Sequence, residues 1–301
     1  MKLNKKRIIA FSVIIVVFLL LLPIIYKDRT YTPLVGPSLS EIEYTEIYFN
    51  NGNLKLAGMM ILPEGEGPFP VAVIIHGSGT STRDSKWYLT VANHLQENGI
   101  AVLLPDKRGS EKSEGKWIGA SFEELAGDTI SAIEYIRTQD QFNYSKIGVI
   151  GMSQGGWIAP VVAAKTEDLA FVVSMSGPIV TQEEQLLYEE IHNIAPYTYT
   201  FIAKLIAPLT TKNLMKKEYI KGYAGFDPIP YWEQVNIPAF IALGENDKNV
   251  PVEESIKRLN SNNLDLLVKV YPDGGHAIRD IKTNRVQIEF LNDLVNFIKE
   301  N

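Results

Sequence analysis

Cysteine is absent from the 301 residues, which excludes disulfide staples, zinc-thiolate sites, a lipid-modified cysteine and a cysteine nucleophile. Any covalent catalysis must then fall to serine. Histidine is scarce: the four present, His76, His94, His192 and His276, show no H-E-x-x-H or comparable spacing, so neither a metal site nor a cofactor is expected. A basic excess is lacking as well. The formal charge is −6, and four of the cations, Lys2, Lys5, Lys6 and Arg7, precede an apolar run, so the remainder is more acidic still. Nucleic acid is therefore not an expected partner. No internal repeat is visible, and the length suits one large α/β domain with a sizeable core.

The apolar run is Ile8 to Leu22, broken only by Ser12 and extended by Pro23-Ile24-Ile25-Tyr26 to a length that can just span a bilayer. The basic flank ahead of it predicts a cytoplasmic N-terminus, with everything after Tyr26 outside. The stretch Tyr26-Lys27-Asp28-Arg29 offers no small-x-small cleavage site. Residues 1–29 are accordingly expected to be an uncleaved signal-anchor helix, the alternative being a removed signal peptide and a secreted protein. Residues 30–40, with Pro33, Gly36 and Pro37, read as a tether.

The domain itself is expected over 41–301. Glu41 to Phe49 alternates polar and apolar residues, Asn50-Asn51-Gly52-Asn53 supplies a turn, and Leu54 to Leu62 answers it, which predicts an opening β-hairpin. The continuous β-branched run Val71 to Ile75 reads as a strand buried on both faces. Helix and strand then alternate. Trp87 to Asn98 is followed by Ile100 to Leu104, and a capping box at Ser121-Phe122-Glu123-Glu124 opens a helix that precedes strand Lys146 to Ile150. Later strands are expected at Ala170 to Ser174, Ala239 to Leu243 and Leu266 to Tyr271, with helices at Val252 to Leu259 and from about Asn284 to Lys299. This rhythm implies a mostly parallel sheet with helices on both faces. It breaks over about 179–235, where helical patterns and nine aromatics (Tyr188, Tyr197, Tyr199, Phe201, Tyr219, Tyr223, Phe226, Tyr231 and Trp232) predict an inserted helical cap, which as a whole walls a substrate pocket although each aromatic taken singly is expected in the core.

The chemistry is organised around Gly151-Met152-Ser153-Gln154-Gly155-Gly156, which lies between an apolar strand and the helix-like run from Trp157. Such a turn holds its serine at positive φ, needs glycine where the reversing backbone meets its neighbours, and aims the first helical amides at an oxyanion. Other polar groups follow the ends of other predicted strands: His76-Gly77-Ser78-Gly79, Asp247 and His276. In a parallel sheet those ends share one edge, where ligands bind. The order serine, acid, histidine matches one of the known triad arrangements. Ser153, His276 and Asp247 are thus the candidates for nucleophile, base and orienting acid. The N–H groups of Gln154 and Ser78, assisted by Gly79, are the candidate oxyanion donors. His76 is expected to hold its loop, and His94 and His192 to sit on helices. Asp273 and Glu245 are the competitors for the acid.

These motifs, with Asp106-Lys107-Arg108-Gly109 and Val250-Pro251, make residues 41–301 resemble the α/β-hydrolases, in particular the group of prolyl-oligopeptidase-like and dienelactone-hydrolase-like esterases. The resemblance implies an α/β-hydrolase fold and a serine esterase without cofactor, acting on a small-molecule acyl ester. Ser153 departs from the dienelactone hydrolases, whose nucleophile is cysteine. No propeller precedes the fold in this sequence, so ester hydrolysis is expected ahead of oligopeptide cleavage. The alternatives are an acyl-peptide, aminopeptidase-like or thioester hydrolase and, from another class, a non-catalytic surface-binding module.

Overall fold

The computed structural model describes residues 5–27, 32–264 and 266–301; of the anticipated features, Lys2 and the start of the tether at Thr30 lie outside them. The hairpin joins β1 (Thr45–Asn51) to antiparallel β2 (Leu54–Ile61). Asn51 pairs with Leu54, so the turn is Gly52-Asn53, with Gly52 at φ +58°. The first strand starts later than its alternation predicts. Leu39–Glu41 forms a short 3₁₀ turn instead, held by the Glu41 carboxylate, which accepts from the Ser38 hydroxyl (3.0 Å) and amide (3.3 Å).

Six further strands follow: β3 (Phe69–Ile75), β4 (Ala101–Pro105), β5 (Phe142–Met152), β6 (Phe171–Met175), β7 (Ala239–Gly244) and β8 (Leu267–Tyr271). Their order is β1-β2-β4-β3-β5-β6-β7-β8, antiparallel at the hairpin and its junction with β4 and parallel thereafter. Side chains alternate between two hydrophobic layers. Val71, Val73 and Ile75 join the core under α3 (Phe122–Ile136) and α4 (Gly155–Lys165), while Ala72 and Ile74 join that under α2 (Lys86–Glu97) and α10 (Ile288–Glu300). Double coverage explains why β3 lacks polar alternation.

Between β6 and β7 the chain builds the cap: α5 (Gln182–Ile194), α6 (Thr200–Leu214) and two short helices, α7 (Glu218–Lys221) and α8 (Ile229–Trp232). Thr181 and Glu184 cap α5 reciprocally, as Ser121 and Glu124 do α3. Most cap aromatics pack rather than line a pocket. Phe226 meets Phe122 at 4.7 Å between ring centroids and Tyr231 at 5.6 Å, and Trp232 is buried in the main core.

Beyond the cap, α9 (Val252–Ser261) precedes β8. The last helix begins at Ile288, not near Asn284, because residues 279–286 fold back on the histidine loop. Bridges join Gly274 to Asp280 and Arg279 to Val286, and the Asp280 carboxylate accepts from the amides of Lys282 and Thr283. At the other end of the chain, α1 (Lys5–Tyr26) contains Ile9–Tyr26, among the described residues the one helix long and apolar enough to cross a membrane.

Candidate active site

Register brings the functional loops to one edge. Ile75 pairs with Gly151, Met152 with Met175 and Gly244 with Tyr271, so the loops after β3, β5, β7 and β8 leave the sheet at one level. Ser153 follows β5 with φ +55°, a conformation that costs about 1–3 kcal/mol outside glycine and holds only where the surroundings impose it. Here they do: its N–H donates to the Met175 carbonyl at 2.9 Å, and its carbonyl accepts from Gly156 at 2.8 Å. The flanking glycines are sterically required. A Cβ at Gly151 would lie 2.1 Å from the Gly155 oxygen, and one at Gly155 would lie 2.2 Å from that of Ile75.

The structure brings Ser153, His276 and Asp247 into one hydrogen-bonded chain. His276 Nε2 lies 3.0 Å from Ser153 Oγ, and Nδ1 lies 2.8 Å from Asp247 Oδ2. The Asp247 side chain is fully buried, and its other oxygen accepts from the amides of Asn249 (2.8 Å) and Val250 (3.0 Å). A carboxylate accepts only, so Nδ1 carries the proton, and Nε2 is left to take one from the serine. Burial disfavours the charged ring, but the charge of Asp247 and its hydrogen bond outweigh that, and the His276 pKa stands above the ordinary histidine value. The rival acids stand apart. The exposed Asp273 faces Lys282 at 3.6 Å, while Glu245 accepts the Asp273 amide at 3.3 Å.

Of the loop after β3, the Gly77 amide is taken by the Tyr88 hydroxyl at 2.9 Å. Among the described residues, the amides of Ser78, Gly79 and Gln154 donate to no protein acceptor, and these three residues line the same cavity as Ser153 and His276. The cavity holds about 690 Å³. Leu186, Leu214, Tyr219, Ile220 and Tyr223 of the cap wall it, with Glu189 and Glu190 beside them. Trp87, Trp117 and Val250 come from the main domain. His76 lies beneath, its Nε2 against the Pro105 carbonyl, and burial pulls its pKa down to about 4. His94 lies on α2, and His192 on α5, its Nδ1 2.9 Å from the Tyr188 carbonyl. Among the described residues no group of three or more histidines and carboxylates is placed to hold a metal ion.

Comparison with known proteins bears on this arrangement. Residues 87–301 match the model of the prolyl oligopeptidase family. The chain belongs to that family. Two relatives are esterase EstD of Thermotoga maritima, 23% identical over 78% of this chain, and the human acylamino-acid-releasing enzyme, 24% identical over 76% of it. This chain spans 61% of the first and 32% of the second. Among solved structures, the Pyrococcus furiosus esterase Pf2001 superposes with a TM-score of 0.66 over 90% of this chain and 99% of its own, at 21% identity. That likeness establishes the α/β-hydrolase fold. The family match begins at Trp87, so the place of the His76–Gly79 loop at the site rests on the geometry alone.

Three contacts were not legible as site features. Tyr88 and Trp87 read as amphipathic-helix residues, yet Tyr88 fixes Gly77, and the Trp87 ring lies edge-on to His276 at 5.3 Å. Lys107 stands in a motif whose purpose the sequence leaves open. Its ammonium is buried and donates to the carbonyls of Gly77 (2.8 Å) and Gly79 (3.1 Å) and to Gln154 Oε1 (3.3 Å), and burial pulls its pKa down to about 8. The neighbours anchor it: Asp106 forks onto Arg83 (2.8 and 2.7 Å), and Arg108 forks onto Asp128 (2.6 and 2.7 Å). Lys107 thus ties both candidate oxyanion loops together as a positioning residue. Lys107→Met is expected to lower kcat toward the roughly 10²-fold loss that follows removal of one oxyanion donor, with KM little changed. Parallel loss in kcat and KM, or in thermal stability alone, would reduce Lys107 to a structural role.

Proposed function

We propose that this protein is a serine hydrolase that cleaves carboxylic esters through an acyl-enzyme at Ser153. The observation that carries the reading is the unbroken chain from Ser153 Oγ through His276 to the buried Asp247. In the proposed cycle His276 Nε2 takes the serine proton as Oγ attacks the acyl carbon. The oxyanion is held by the amides of Gln154 and Ser78, with Gly79 beside them. The imidazolium then protonates the departing alkoxide, and water repeats the cycle on the acyl-enzyme. Asp247 fixes the imidazole tautomer and stabilises its charged form. No cofactor is needed in this scheme.

An ester preference is supported by the apolar and aromatic part of the cavity lining, Trp87, Trp117, Leu186, Leu214 and Tyr223, which faces a polar part that includes Gln182, Gln185 and Asn193, and by the esterases among the relatives. Glu189 and Glu190 favour a second reading, hydrolysis of aminoacyl substrates whose free amine they would pair with. Acyl p-nitrophenyl esters are expected to outrank aminoacyl anilides in kcat/KM after allowance for leaving-group reactivity. The reverse ranking would install the second reading.

The domain reading is proposed in the same way: an anchor over 1–29, a tether over 30–40, and a hydrolase domain over 41–301 with its cap at about 179–235. The apolar stretch Ile9–Tyr26 of α1 and the cations ahead of it support anchorage of a catalytic domain outside the cytoplasm.

A further inference from the structure

Surface helices bury large apolar residues and expose polar ones. On α6 that pattern is inverted. The residues it buries are all small, Ala203, Ala207 and Thr211, with Ile202 and Leu214 half-buried near its ends, while Phe201, Leu205 and Leu209 project outward one turn apart, 63%, 76% and 65% exposed, with Ile206 beside them. An apolar row of this kind on a protein surface marks an interaction site. The charge around it is one-sided as well. Residues 195–217 contain no acid and four lysines, Lys204, Lys212, Lys216 and Lys217, in a chain whose net charge is −6.

The contacts between the cap and α1 bear on what could cover this face. Pro23 has no N–H, so the Leu19 carbonyl four residues earlier loses its helical partner. The Tyr199 hydroxyl donates to that carbonyl at 2.8 Å. Lys27, just past the helix, donates to the carbonyls of Ala195 and Thr198 at 2.7 and 2.8 Å. The start of α6 is therefore tied to α1 at two levels. At about 1.5 Å per residue Leu19 lies about 10 Å below Tyr26 along the helix axis, a depth that an interfacial helix reaches on its own. A cap that meets α1 at Leu19 cannot stand clear of a bilayer that α1 crosses.

We propose that the outer face of α6 is a membrane-docking surface, lying in the outer leaflet of the bilayer spanned by α1 with Phe201, Leu205 and Leu209 among the acyl chains. The flanking lysines meet lipid phosphates. This rests on α1 being the anchor proposed above. Leu214, at the end of the same helix, lines the cavity of Ser153, so one helix joins the lipid face to the pocket wall.

The absence of cysteine allows a direct test in the full chain. The single variants Leu205→Cys, Leu209→Cys, Val16→Cys and Ser145→Cys are labelled with an environment-sensitive nitrobenzoxadiazole dye. Each is reconstituted into phosphatidylcholine–phosphatidylglycerol vesicles containing lipids with nitroxide-labelled acyl chains. Quenching at 205 and 209 comparable to that at 16, with none at 145, is the expected result. Quenching at 16 but not at 205 or 209 overturns the docking surface and leaves the anchor standing. A blue-shifted but unquenched dye at 205 also overturns it, since a protein surface or a second copy would then cover the face. Lack of quenching at 16 overturns the anchor separately.

Discussion

Ser153→Ala is expected to abolish ester turnover and covalent labelling by a fluorophosphonate, while the circular dichroism spectrum and melting temperature stay close to wild type. The hydroxyl makes one side-chain hydrogen bond, to His276, and removing it leaves the backbone bonds of the turn in place. Stability should shift by no more than about 1 kcal/mol, and alanine at positive φ retains the strain serine already bears. The chemistry behaves differently: if the three side chains act as one unit, kcat falls by a factor of order 10⁶. The other serines near the site lack the serine–histidine contact. Ser176 is fully buried with its hydroxyl unpartnered, and among the described residues no hydrogen bond joins Ser78 to a histidine. Labelling that survives in Ser153→Ala would place the nucleophile at one of them and remove the proposed mechanism.

The parts of this molecule that could be read from sequence are those fixed by local physics. The hairpin turn within Asn50-Asn51-Gly52-Asn53 follows from backbone conformation, the cap at Ser121 from reciprocal hydrogen bonding, and the strand β3 from its unbroken apolar run. Serine, acid and histidine were legible because parallel strands end at one edge, so order along the chain becomes proximity in space. What escaped depends on which way a side chain turns. Lys107 is a cation in a loop, which ordinarily faces water; its burial against two glycine carbonyls follows from Asp106 and Arg108 being pinned on either side of it. The cap as a whole reads as pocket wall and its aromatics one by one as core, and that division holds: Tyr219 and Tyr223 line the cavity, while Phe226, Tyr231 and Trp232 fold back onto α3 and α4. The late start of α10 also escaped. Residues 284–287 extend the apolar spacing of the helix, but the pairing of 279–286 with the histidine loop prevails over it.

Asp247→Asn is expected to lower kcat by up to about 10⁴-fold, for a reason the geometry makes specific. Oδ1 of Asp247 accepts from two backbone amides, so an asparagine would keep its carbonyl oxygen there and turn its NH₂ toward His276. The ring would then have to present an unprotonated Nδ1 and carry its proton on Nε2, the atom facing Ser153. A protonated Nε2 cannot take the serine proton. The pH profile should move in a defined direction as well. His276 must be neutral to act as base, so kcat/KM rises as pH rises through its pKa, and in the wild type that limb should lie above the ordinary histidine value because Asp247 outweighs burial. Without the carboxylate, burial acts with less opposition, and the limb of the residual activity should shift to lower pH. Asp273→Asn and Glu245→Gln should each cost about tenfold or less and leave the limb in place, since one side chain is exposed beside Lys282 and the other, among the described residues, accepts from the Asp273 amide alone. If Asp273→Asn instead showed the steep loss while Asp247→Asn stayed active, the acid would belong to the histidine loop, and the buried carboxylate at 247 would be only a support for its own turn.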